Sequence, residues 1–265
     1  MSSPTLSLAA RATAFKALHR PLHPLVLANV FDATSAALVA ALPQTAALAT
    51  ASYAMALALG TTDPELTLDA HLAALQPIAA VARRTGKLLT VDLQSGYGDR
   101  LADAVRAVMR EPIGASGINL EDSEQATGAI LGEDEAVARI ETALRVAREE
   151  GVPDFVVNAR SDSFVRGGTL EEAVRRGRRY LAAGATTAYV FWQAGKPMDE
   201  ESVAFAVREL GGMVNLAPRL GAGGKGLTTN DLKRLGVARV SVGPQIYLAA
   251  AAALKKAAEE TYGLE

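Results

Sequence analysis

The chain has 265 residues, with 27 Lys and Arg against 29 Asp and Glu, a formal net charge of -2, and 49% hydrophobic residues. That balance gives no clustered positive charge for a nucleic-acid backbone, and no window approaches the roughly 18 uninterrupted apolar residues of a membrane span. The absence of cysteine removes disulfides, thiolate metal sites and Cys nucleophiles. Residues Met1 to Thr5 lack a charged-then-apolar leader, so the expected setting is cytoplasmic.

Short apolar runs occur at residues 25–30, 46–50, 88–92, 117–121, 155–160, 187–191, 213–217 and 239–243. Their hydrophobicity is continuous rather than alternating, as in parallel strands covered by helices on both sides. Each is followed by a segment with helical apolar spacing. Thr169 and Glu172 are spaced as a capping box opening a helix over 173–183, which Gly184 closes. Gly151 and Gly236 close helices over 133–150 and 231–235 in the same way. Residues 245–261 form a last, Ala-rich helix. Eight strand–helix units in about 250 residues predict an α/β fold, the (β/α)8 TIM barrel, as one domain over 1–265. Of the three histidines, His19 and His23 read as solvated loop residues and His71 as a helix surface residue.

The site of such a barrel lies at the C-terminal ends of its strands, so the polar residues there are the candidates. They are Asn29 and Asp32, Ser52 and Tyr53, Asp92 and Gln94 with Gly96 and Tyr97, Glu121, Asn158 and Arg160, Trp192, and Asn215. Asp92 and Glu121 come from adjacent strands, and hard oxygen donors without thiol or imidazole suit Mg2+ or Mn2+. Arg160 offers a planar fork for a carboxylate or phosphonate. Asp122 and Asp162 read as caps or supporting contacts, and Asn119 as packing within the barrel. Tyr53 and Trp192 would set specificity. No lysine falls inside a predicted strand, which argues against a Schiff-base aldolase. The glycine-rich segment 219–226 after the seventh strand leaves open a phosphate-binding barrel.

These residues resemble the isocitrate lyase/phosphoenolpyruvate mutase superfamily over about residues 14 to 250. The resemblance is carried by residues 25–32 with Ser35, 49–52 through 59–63, 91–98, 117–122 and 158–162. It implies a Mg2+-dependent enzyme acting on C–C or P–C bonds of small, anionic 2-oxo or 2-hydroxy carboxylates. By position it makes Asp92 the direct metal ligand, Asp63 and Glu121 acids holding the ion or its waters, and Gln94 the substitute for a second acid of that motif. Arg160 would contact the substrate, Ser52 and Tyr53 would grip its anionic end, and Gly96, Tyr97 and Gly98 would form the turn beside the metal. Arg160, Glu121 and Tyr53 are the expected catalytic residues. The resemblance also implies a homo-dimer or tetramer in which the 245–261 helix is exchanged between subunits.

Two departures stand out. The superfamily's lyases carry a Cys within a Lys-Lys-Cys-Gly-His-like loop after the fourth strand, whereas residues 123–131 here contain no Cys, Lys or His. This argues against isocitrate and 2-methylisocitrate cleavage. Gln94 removes a negative charge near the metal. The expected function is a lyase or hydrolase; a phosphonopyruvate-type phosphoryl mutase and a weakly catalytic binding barrel are the alternatives.

Overall fold

The computed structural model describes residues 6–192, 199–218 and 226–264. A first helix, α1 (Leu8–Ala17), precedes two short strands, β1 (Leu25–Leu27) and β2 (Asn29–Val30). Then follow α2 (Ala33–Ala40), β3 (Ala47–Thr50), α3 (Ser52–Ala58), a 3-10 turn (Asp63–Glu65), α4 (Leu68–Thr85) and β4 (Leu88–Asp92). A second 3-10 turn (Gly98–Arg100) leads into α5 (Leu101–Met109), β5 (Gly117–Glu121), α6 (Glu133–Glu149), β6 (Val156–Ser161), α7 (Leu170–Ala182) and β7 (Thr187–Val190). The last elements are α8 (Glu200–Glu209), β8 (Val214–Leu216), α9 (Thr229–Leu235), β9 (Arg239–Ser241) and α10 (Gln245–Thr261). No described helix is long and apolar enough to cross a membrane.

All nine strands of the described residues are parallel, in the order β1-β9-β8-β7-β6-β5-β4-β3-β2. The ninth strand arises because the predicted first strand is broken at Ala28. Its first half pairs with β9 and its second with β3, so the break is where the barrel closes. Asn29 seals that seam: its Nδ2 donates to the Thr50 carbonyl at 2.7 Å, and its Oδ1 accepts from the Val242 and Gly243 amides at 2.9 and 3.1 Å. The predicted eight-strand (β/α)8 barrel is therefore the observed architecture.

Parity along the strands divides the interior into two chemistries. Outward Leu89, Val91, Ile118 and Val157 pack with Ile78, Val105 and Ala143 of the helices. Ala188, Val190, Leu216 and Val240 pack likewise with Val174, Val203 and Leu232. Inward, Leu25, Leu27, Ala47, Ala49 and Val156 pack around Phe15, and the remaining inward positions are largely polar and bond to one another because the barrel excludes water. The Thr187 hydroxyl donates to Asn158 Oδ1 (2.6 Å), Asn158 Nδ2 to Asn119 Oδ1 (2.7 Å), and Asn119 Nδ2 to Asp92 Oδ1 (2.9 Å). This chain crosses four neighbouring strands and ends on the Asp92 carboxylate.

Thr169 caps α7 through its hydroxyl, but Glu172 turns to Arg176 instead of back to the cap, so half of the predicted box forms. Two histidine readings need correction. His19 is buried, its Nδ1 3.0 Å from the Phe15 carbonyl and its ring edge-on to Phe15. His71 is buried with Leu75 and Ile78 on the inner face of α4, its Nδ1 2.6 Å from the Tyr97 hydroxyl. Burial pushes His71 down to about 4 and His19 to about 3, so both rings are neutral at neutral pH. His23 is exposed, as expected.

Candidate active site

A cavity of about 500 Å³ opens at the C-terminal ends of the strands. Of the residues singled out in the sequence, Asn29, Ser52, Tyr53, Asp63, Asp92, Asn158 and Arg160 line it. Thr90, Asn119, Tyr189 and Arg239 line it too and were not singled out as site residues.

The negative side is built where β3 and β4 end. Ser52, the first residue of α3, donates to Asp92 Oδ2 from its amide at 2.9 Å and from its hydroxyl at 3.0 Å. With Asn119 on Oδ1, the carboxylate is fixed from three directions. Asp63, on the turn after α3, is held through its Oδ1 and its carbonyl by Gln94 Nε2, each at 2.7 Å. Burial pushes the Asp63 carboxyl upward, and the neighbouring Asp92 charge adds to it, against the Gln94 and Ser52 hydrogen bonds. Neither carboxylate has an ion-pair partner among the described residues, and Gln94 Oε1 is buried without a donor.

These donors fit a hard cation that keeps water in its shell. No three His, Asp or Glu side chains of the described residues stand close enough together to ligate one ion. Mg2+ takes one or two carboxylates and retains several waters, which this set can serve. A closed tetrahedral site would need four protein ligands, which it cannot supply.

The positive side is Arg160, and it is already engaged. Its Nε and Nη2 donate to the two oxygens of Asp162 at 2.5 and 3.2 Å, and its Nη1 to Glu121 Oε1 at 2.8 Å. Its guanidinium also stacks 3.8 Å from the centre of the Phe191 ring. Burial alone would lower the guanidinium, but Glu121, Asp162 and Tyr189 more than reverse this and hold it above its ordinary value. Glu121 is driven up by burial and by the carboxylates Asp162, Asp92 and Asp63, with Arg160 pulling the other way. Asp162 in turn accepts from the Ser123 hydroxyl, and its amide donates to Asp122, which Tyr180 and Arg176 also contact. Asp122 and Asp162 are thus supporting contacts, as expected.

Five expected substrate contacts do not reach the cavity wall. Asp32 caps α2, its Oδ1 accepting from the Ser35 amide while the Ser35 hydroxyl accepts from the Asp32 amide. Gly96 has φ +81°, and a Cβ there would meet the Leu101 and Leu120 side chains, so backbone geometry explains the glycine. Tyr97 points to His71 instead. Trp192 packs edge-on against Phe164, and Asn215 exchanges hydrogen bonds with Ser241 inside the barrel. Gln94 and Glu121, expected at the metal, do not line the cavity either: Gln94 bonds to Asp63 and Glu121 to Arg160. Most of the glycine-rich segment lies outside the described residues. Asn119 does more than pack, because it positions Asp92.

A family model described as phosphoenolpyruvate phosphomutase matches residues 15–262. The chain belongs to the phosphoenolpyruvate phosphomutase family. Its fold and sequence place it in the wider phosphoenolpyruvate mutase/isocitrate lyase superfamily, as the sequence resemblance implied. An uncharacterised Mycobacterium tuberculosis (strain H37Rv) protein is 31% identical over 240 residues, 89% of this chain and 83% of that one. A candidate phosphonomutase from Burkholderia cenocepacia J2315 has a TM-score of 0.81 at 34% identity, covering 97% of this chain and 100% of its own. A 2,3-dimethylmalate lyase structure has a TM-score of 0.80 at 25% identity, covering 97% and 88%. A shorter match, 53% of this chain and 49% of the relative, is a phosphonopyruvate hydrolase of Variovorax sp. (30% identical). Phosphomutase relatives thus include lyases, hydrolases and mutases.

Proposed function

We propose that this chain is a Mg2+-dependent lyase or hydrolase that cleaves a C–C or P–C bond in a small 2-oxo or 2-hydroxy carboxylate. The observation that carries the reading is the half-buried Asp63–Asp92 pair, without an ion-pair partner among the described residues, in one cavity with guanidinium groups. Asp92 would hold Mg2+ directly, with Asp63 addressing its waters, while Glu121, expected beside the ion, would hold Arg160 instead. The bound ion would supply a fixed positive charge for the enolate-like charge that develops as the bond breaks. Ser52 and Asn119 fix the Asp92 carboxylate, so the site is set before substrate arrives. Arg160, braced by Glu121 and Asp162, keeps its remaining N–H groups in one orientation for a substrate oxygen. Tyr53 stands at the mouth, 45% exposed, where its hydroxyl can exchange a proton with the departing fragment or a water.

Residues 123–131 support the exclusion of isocitrate chemistry. The segment folds on itself through a Ser123–Ile130 bridge, its one carboxylate, Glu124, accepts from the Thr127 hydroxyl, and none of it lines the cavity. A positioned proton donor is worth ~10²–10⁴ in rate, and this loop provides none. The chain should therefore leave isocitrate and 2-methylisocitrate intact while turning over oxaloacetate, phosphonopyruvate or dimethylmalate with Mg2+. Phosphonopyruvate converted to phosphoenolpyruvate would favour the mutase alternative. Robust glyoxylate release from isocitrate would overturn the reading, and silence on all five acids would favour a binding protein.

The same reading makes the active unit a homo-dimer or tetramer. None of the 17 residues of α10 is buried, and Leu248 and Leu254 are 50% and 73% exposed. Leu248 also lines the cavity mouth, so a neighbouring copy on this helix would cover apolar surface beside the site. Light scattering should give a particle larger than 27.6 kDa; a monomer would contradict this.

A further inference from the structure

Three arginines line the cavity, Arg160, the exposed Arg166 and Arg239, and Arg239 alone is fully buried there without a hydrogen-bond or ion-pair partner among the described residues. Arg239 opens β9 with its side chain turned inward, is 2% exposed and lines the cavity. Its Nε and Nη1 are buried without any acceptor, and no carboxylate of the described residues forms an ion pair with it. The other buried arginines differ in this respect: Arg160 is matched by Glu121 and Asp162, and Arg176 by Asp122 and Glu172. Burial lowers Arg239 to about 10, with Tyr189 and Asp92 opposing the fall, so it keeps its charge at neutral pH. Removing a lone charge from water is strongly unfavourable unless an opposite charge arrives. Its neighbour His19 is neutral and brings none.

The register relates Arg160 and Arg239. Arg160 pairs with Tyr189, Tyr189 with Asn215, and Asn215 with Arg239, so both stand on one inward-facing ladder three strands apart. Arg160 has committed three N–H groups to carboxylates, and its charge is already compensated. Arg239 has committed none.

We propose that Arg239 receives a second anionic group of the substrate, carboxylate or phosphonate, and so selects small dianions over the matching monoanions. This rests on reading the cavity as the site of a small 2-oxo or 2-hydroxy acid, and it adds a specificity-determining residue on the last strand.

The test is calorimetric titration, with Mg2+ present, of malate, lactate and phosphonoacetate into the wild-type chain, Arg239→Gln and Arg239→Lys. Malate and lactate share the 2-hydroxy carboxylate and differ by one carboxylate, while phosphonoacetate tests a phosphonate as the second anion. The wild type should prefer malate or phosphonoacetate to lactate. Arg239→Gln should weaken that dianion on the order of 10²-fold, with lactate unchanged within about threefold. Arg239→Lys should recover part of the loss, because it restores the charge without the fork. Arg239→Gln also removes an unpaired buried charge, so its melting temperature should equal or exceed that of the wild type. A wild type that binds no dianion, or a preference that survives in Arg239→Gln, overturns the inference. Turnover of an acid with that preference intact would leave the proposed activity standing without it. Loss of the preference in a chain that turns over none of the acids would do the reverse.

Discussion

Replacing Asp92 by alanine is expected to abolish Mg2+ binding and to lower turnover more than ~10²-fold, beyond the loss that follows removal of a metal's outer partners. Asp92 is the point where the inward hydrogen-bond chain from Thr187 through Asn158 and Asn119 meets the two donors of Ser52. Alanine leaves three buried donors without an acceptor, at about 1–3 kcal/mol each. Asp92→Asn is therefore the companion variant, since its amide oxygen can still accept from Ser52 while the charge is gone. Calorimetry on both should show no Mg2+ binding in chains that still melt cooperatively. Unchanged affinity in Asp92→Asn would remove Asp92 from the metal site.

The second large effect belongs to Arg160. Arg160→Met should destabilise the fold by about 3–5 kcal/mol, the loss expected when one partner of a buried ion pair is removed. It strands Asp162 and Glu121, whose side chains are 2% and 12% exposed. The pH dependence has a definite sign. Glu121 is raised by burial even with Arg160 beside it, and removing the guanidinium can only raise it further. A carboxyl raised in the folded state contributes stability that is present in acid and lost as pH climbs through its folded value. The gap between wild type and Arg160→Met should therefore be small near pH 4 and widen toward neutrality. Urea unfolding at a series of pH values measures it; a gap that does not change with pH would mean that packing, and not charge, is what Arg160 supplies.

The barrel was legible because its outward strand positions are apolar without interruption and its helices end on glycines such as Gly236, whose φ is +99°. The break at Ala28 was not legible, because Leu25 to Val30 reads as one apolar run in which only Asn29 is polar. It is set by the need to pair with both β9 and β3. Asp92, Arg160 and, just past β3, Ser52 are legible as cavity residues because polarity there interrupts an apolar run. Arg239 opens its strand and Thr90 lies in the middle of its own, away from the C-terminal ends where candidates are sought. The signal for Arg239 was parity: Val240 and Val242 face the helices, which turns Arg239 and Ser241 inward. His71 carried a similar signal, since Leu68, His71, Leu75 and Ile78 recur on one helical face. Asp32 supplies the cap that the first turn of α2 needs, and in sequence an aspartate before a helix looks the same whether it caps or binds.

A metal and a small diacid should settle together at the Asp92 end of the cavity. A crystal soaked with Mg2+ and oxalate, a stable planar diacid of the class proposed, should show the ion beside Asp92 and the oxalate in the cavity between Ser52, Arg160 and Arg239. Oxalate and Mg2+ bound away from Asp92, or a cavity left empty at saturating concentrations of both, would contradict it.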